Sequence, residues 1–165
     1  MATHGETINA LARLICASEN VRAACVGSFG RGLLVIRDAF GANGLPGVKE
    51  APFCFLYRGE DTDIGQSDEN TFTVFMIVGV DASTADGTAP AETQIPRTAT
   101  ANGLVSSGCI DAAESLRDTI ISELRSASVG MPLLRITLNE YSVADYPLQC
   151  ARAVLHFAAP LTMEG

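Results

Sequence analysis

The side chains with the most reactive chemistry in this 165-residue chain are two histidines, His4 and His156, and five cysteines, Cys16, Cys25, Cys54, Cys109 and Cys150. A thiol paired with a histidine base makes a covalent nucleophile, provided the two lie within hydrogen-bond reach. The one tempting pair, Cys150 and His156, shares a face of the last expected strand. Six residues at about 3.3 Å each separate the two by roughly 20 Å, so the pair fails on geometry. His4 falls in a frayed start, and His156 on a mixed strand face, where an inert structural role is expected. The cysteines are odd in number, widely spaced and without a C-x-x-C pair. That pattern fits reduced, buried thiols better than a disulfide framework or a zinc site.

Three further patterns invite chemistry. Gly27, Gly30 and Gly32 superficially resemble a phosphate loop, but the spacing matches neither G-x-G-x-x-G nor a Walker loop, and a turn is the better reading. Glu60, Asp61 and Asp63, with Asp68 and Glu69, offer carboxylate oxygens to a hard cation. They lack the glycine and terminal glutamate of a calcium loop, so a solvated hairpin tip is expected. Arg31, Arg37 and Arg58 are candidate interface groups, although charges near strand ends are mostly solvated. No catalytic, cofactor-binding or metal-binding residue is assigned from these patterns, and no enzymatic activity is expected.

Composition narrows the classes. One domain spanning residues 1–165 is long enough to bury a single core, and 47 % hydrophobic residues is an ordinary globular share. The formal charge is −8, with one lysine, Lys49, against ten scattered arginines. Independent DNA binding is disfavoured, because it needs clustered cations to neutralise phosphates. No start resembling a secretory signal and no apolar run of roughly 18 residues is seen, which predicts a soluble protein, intracellular when made.

The positioning elements follow from periodicity. Thr7 is the expected N-cap of a helix reaching about Ala17, with Ile8, Leu11, Ala12 and Ile15 on its apolar face. An irregular stretch should follow, then strands at Leu33–Ile36, Phe53–Tyr57 and Thr71–Val80. The last turns apolar on both faces at Phe75–Val78, as a central, helix-covered strand does. Asp81–Ser107 is rich in Ala, Thr, Ser, Asp, Gly and Pro, and reads as a projecting loop or loose hairpin. Ile110–Leu124 is an amphipathic helix with Ile110, Ala113, the stem of Arg117, Ile120, Ile121 and Leu124 on one stripe, stopped by Gly130 and Pro132. Two alternating strands, Leu133–Glu140 and Leu148–Phe157, close the chain. The expected fold is α+β: one mostly antiparallel sheet of about five strands, two flanking helices and a long projecting loop.

This order of elements, with the strand led by Pro52, the Ile110–Leu124 helix and the closing pair Leu133–Thr137 and Tyr146–Phe157, resembles the tail terminator (tail completion) proteins of long-tailed bacteriophages. The resemblance covers most of the chain loosely, and most poorly between Val26 and Lys49. It implies a virion structural protein without cofactor or catalysis. Such a protein forms a ring, usually a hexamer, at the head-proximal end of the tail tube, stops tube polymerisation and offers a joining surface to the head. The implied partners are copies of the chain, the tail tube protein and a connector or neck protein, with no membrane. Assembly would take place in the host cytoplasm. Six copies at −8 carry about −48, and an acidic lumen lined by Glu60–Glu69 would let DNA pass without sticking. On the long loop, Asp86, Thr88, Thr93, Ile95 and Arg97 are the candidate interface residues, because such a loop can add a strand to a neighbour. A tail tube or neck subunit is the alternative, and a monomeric ligand-binding or enzymatic α+β domain a more distant one.

Overall fold

The structure is a computed structural model and describes residues 4–37, 46–59, 70–81, 83, 94–105, 109–126, 133–139 and 147–159. The first helix, α1, spans His4–Ala17 and buries Ile8, Leu11 and Ile15 to 1 % exposure, as the 3.6-residue spacing demands. It begins a turn earlier than the sequence suggests. Thr7 lies inside it and is buried, so it does not cap the helix.

A second helix, α2 (Glu19–Phe29), fills the stretch expected to be irregular. Ser18 is its N-cap and accepts a hydrogen bond from the Val21 amide at 3.2 Å. Gly30 closes it at φ 75°, a left-handed conformation that suits glycine, and donates its N–H to the Val26 carbonyl. Gly27, read above as part of a turn, is therefore helical, and Gly30 is a helix cap. The domain has three helices among its described residues where two were expected.

The remaining elements are β1 (Leu34–Arg37), a short 3-10 turn (Val48–Glu50), β2 (Phe53–Arg58), β3 (Asn70–Asp81), β4 (Gln94–Ile95), β5 (Leu104–Val105), α3 (Cys109–Ser126), β6 (Leu133–Asn139) and β7 (Leu148–Ala159). Five strands form one sheet in the order β1-β2-β3-β7-β6. Only the β1–β2 pair is parallel. The fold is thus α+β with a mostly antiparallel sheet. β3 lies at its centre, as the apolar Phe75–Val78 run predicts.

All three helices belong to one side. α3 packs on β3 and β7, α1 on β1 and β2, and α2 against α3. Between helices and sheet lies the main core, where Leu116, Ile120 and Leu124 of α3 meet Met76, Val78, Leu155 and Phe157. Each such side chain contributes roughly 1.5–3 kcal/mol on leaving water. Arg117 also falls on this buried stripe at 6 % exposure, its Nε bonded to Asp118 at 3.1 Å. Ile110, expected on the same stripe, is 61 % exposed and belongs to the solvent side of the first turn. Leu116, absent from the expected stripe, takes part in the core instead.

A smaller apolar cluster, Ile36, Ala51, Phe53 and Phe55, lies on the opposite sheet face. In β6 a register shift between Leu133 and Arg135 interrupts the simple alternation expected there.

Candidate assembly surface

The long connection between β3 and α3 contains a small hairpin. β4 and β5 pair through Gln94–Val105 and Ile95–Leu104, and Thr98 and Ala101 bridge above them, with the Thr98 amide donating to the Ala101 carbonyl at 3.1 Å. This two-stranded ribbon is a sheet of its own, not an extension of the main one. Every residue from Pro96 to Leu104 is exposed, and Leu104 keeps half its surface in water. The loose hairpin expected from composition is present over these residues. Of the candidate interface residues, Ile95 sits in β4 and Arg97 in the exposed turn region. Asp86, Thr88 and Thr93 lie outside the described residues, as does the acidic loop from Glu60 to Glu69.

The sheet presents its own surfaces. On the face away from the helices, the register aligns Phe55, Tyr57 and Phe75 into a row with ring centroids 5.2 and 5.1 Å apart. Arg152 of β7 completes the row, its guanidinium carbon 4.4 Å from the centre of the Phe75 ring. Such a contact stabilises by roughly 0.5–2 kcal/mol according to its desolvation. The Arg152 Nε is buried and has no hydrogen-bond partner. On the neighbouring edge strand Arg135 stands opposite His156, and Thr137 Oγ1 is 3.1 Å from His156 Nε2. Burial, reinforced by the Arg135 charge, holds the imidazole below its ordinary pKa.

On the helix side, a shallow, open groove of about 640 Å³ runs along α3 beside Asn20 of α2. Its lining includes Asp111, Glu114, Asp118 and Glu123 and not one lysine or arginine. Asn20 donates to Glu123 at 2.7 Å, which ties the helices together. This bond, with a second from Ser18, holds the Glu123 carboxyl below the usual range.

The groups weighed for chemistry are kept apart. Cys150 and His156 share the helix-free face of β7 six residues apart, as expected. Burial pushes the Cys25 and Cys150 thiols up to about 11 and raises that of Cys54 further, which disfavours the thiolate a nucleophile needs. Arg31 is exposed, as expected, but also bonds the carbonyls of Lys49 and Ala51, through Nη2 at 2.6 Å and Nε at 2.8 Å, and so pins the end of α2 to the entry of β2. No group of three or more potential metal ligands occurs among the described residues, and no helix there is long and apolar enough to cross a membrane.

Sequence reasoning missed the aromatic row and the groove. Phe55, Tyr57, Phe75 and Arg152 occupy alternating strand positions, a signal that marks each residue's face but not which strands lie side by side. No protein-family model matches this chain, and no curated protein is significantly similar to it.

Proposed function

We propose that this protein is a structural subunit of a long-tailed phage virion, a tail terminator that forms a ring at the head-proximal end of the tail tube, ends tube polymerisation and provides the head-joining surface. In this reading it is not an enzyme and carries no cofactor, and DNA passes through the ring unbound. The reading starts from the resemblance in the order of elements. The observation that supports it best is the exposed hairpin between β3 and α3, which forms a separate ribbon and buries nothing between Pro96 and Leu104. An isolated two-stranded hairpin is marginal in water, and a neighbouring subunit would give it a surface to rest on. Rings require contacts between two different surfaces of the subunit, and a projecting hairpin offers one of them.

The test is absolute mass by light scattering over a range of protein concentrations, with negative-stain images of the same sample. A closed ring of about six subunits, or a monomer that becomes a ring when tail tubes are added, is the expected result. Open-ended tubes would make the chain a tube subunit. A strict monomer indifferent to tail tubes would overturn the virion reading.

A further inference from the structure

We infer that the helix-free sheet face around Arg135 and Arg152 docks on the acidic α2–α3 groove of a second copy of this chain, as the head-to-tail contact of the ring. The inference rests on the ring reading above and names the surfaces that would make it. A chain with a net charge of −8 repels its own copies, so association needs a local charge match. The two faces supply one. The groove holds four carboxylates and no cation. The opposite face presents exposed Arg135 and partly buried Arg152.

Arg152 is the more telling of the two. Among the described residues its Nε is the one buried side-chain nitrogen or oxygen without a hydrogen-bond partner, and its guanidinium rests on the Phe75 ring. The buried Nε is out of reach from outside, so a carboxylate from a neighbouring copy would pair with the terminal nitrogens of this partly exposed guanidinium.

The spacings are compatible. Arg152 pairs with Asn139 on β6, four residues beyond Arg135, so the two cations stand about 13 Å apart along the strands at roughly 3.3 Å per residue. The carboxylates from Asp111 to Glu123 extend along about 18 Å of α3 at roughly 1.5 Å per residue. Both cations therefore fall within one row of carboxylates. Because the two surfaces differ and lie on opposite sides of the domain, each copy presents one to each neighbour. Such a head-to-tail contact does not stop at a two-fold dimer; it closes into a ring where the rotation between neighbours closes and otherwise continues as an open filament.

Charge reversal tests the contact on the full chain. One variant carries Arg135→Glu with Arg152→Glu, another Asp111→Arg with Glu114→Arg, and a third all four. Asp118 and Glu123 are left alone because each is bonded within its own chain. Light scattering and co-sedimentation with tail tubes give the concentration of half assembly, and thermal melts check folding. Each two-residue variant should raise that concentration about tenfold or more. The four-residue variant should recover to within about threefold of the parent. Exposed Arg135→Glu alone, which spares the Phe75 contact, guards against a folding defect. A ring-forming parent whose assembly neither reversal weakens, or folded reversals that fail to rescue one another, would overturn the contact alone. A parent that stays monomeric even with tail tubes overturns the ring reading and the contact with it.

Discussion

Replacing Gly79 with alanine tests the packing of the helix-free sheet face. Gly79 lies on β3 directly opposite Phe53 of β2, whose ring is 2 % exposed and lies across the glycine. A Cβ built on Gly79 overlaps Cζ and Cε1 of that ring and falls 2.9 Å from Cε2. Ordinary carbon–carbon contact is about 3.5–4.0 Å, so the ring must move by an ångström or so. It has little room, because Ile36, Ala51 and Phe55 pack into the same cluster. Overpacking of this kind costs roughly 1–3 kcal/mol. Alanine in a strand interior returns about 0.5–1 kcal/mol relative to glycine. The steric term wins, and a net loss of about 1 kcal/mol is expected, equivalent to a drop in Tm of about 2–4 °C for a chain of this size. Urea unfolding followed by circular dichroism measures it. The same substitution in a Phe53→Ala background, itself costing roughly 3–5 kcal/mol, should be neutral or stabilising because no ring remains to strike. Equal cost in both backgrounds, or a Gly79→Ala protein as stable as the parent, would show that the Phe53 ring does not constrain position 79.

Arg31→Ala should cost about 1 kcal/mol in urea unfolding, since it removes bonds to the carbonyls of Lys49 and Ala51 from an exposed side chain for which water is a competing partner. Arg31→Lys should recover less than half of this, because an ammonium cannot span both carbonyls as the guanidinium does. On α3, Leu124→Ala should cost roughly 2–5 kcal/mol and Ile110→Ala no more than about 0.5 kcal/mol in the same assay. These side chains are 2 % and 61 % exposed. The Cys25 thiol is raised from 9.0 to about 11, so the unfolded chain loses this proton first as pH rises. Its contribution is complete below about pH 9 and declines up to about pH 11. Unfolding titrations should show Cys25→Ala less stable at neutral pH, but with a slope over that window shallower by at most roughly 1.4 kcal/mol per pH unit. An identical slope would show that the thiol ionises as easily folded as unfolded.

The elements visible in advance are those whose own side chains carry the periodicity. Ile8, Leu11 and Ile15 on α1, Ile120 and Leu124 on α3, and the alternation along β7 announce helix or strand whatever surrounds them, because each must bury one face. α2 escaped notice because it buries only Val21 and Cys25 along its own length and contains Gly27 and Ser28, so its apolar stripe is faint. Its signal was in its ends: Ser18 is a strong N-cap residue and Gly30 a common C-cap. Its place in the fold depends on α3, through packing and the bond from Asn20 to Glu123. The hairpin was legible only as a run poor in large apolar residues.

The residues alone thus determined the class of the fold, the identity of its main helices and strands, and the separation of Cys150 from His156. All of these follow from local spacing and side-chain polarity. Tertiary structure decided what depends on neighbours distant in the chain. It set β1 parallel to β2, laid Phe53 over Gly79, joined Phe55, Tyr57, Phe75 and Arg152 into one row, and made the exposed Arg31 a clamp on two carbonyls. Strand order and register bring these groups together. Hydrophobic periodicity records only which face a residue occupies, never which residue of another strand or helix it will meet.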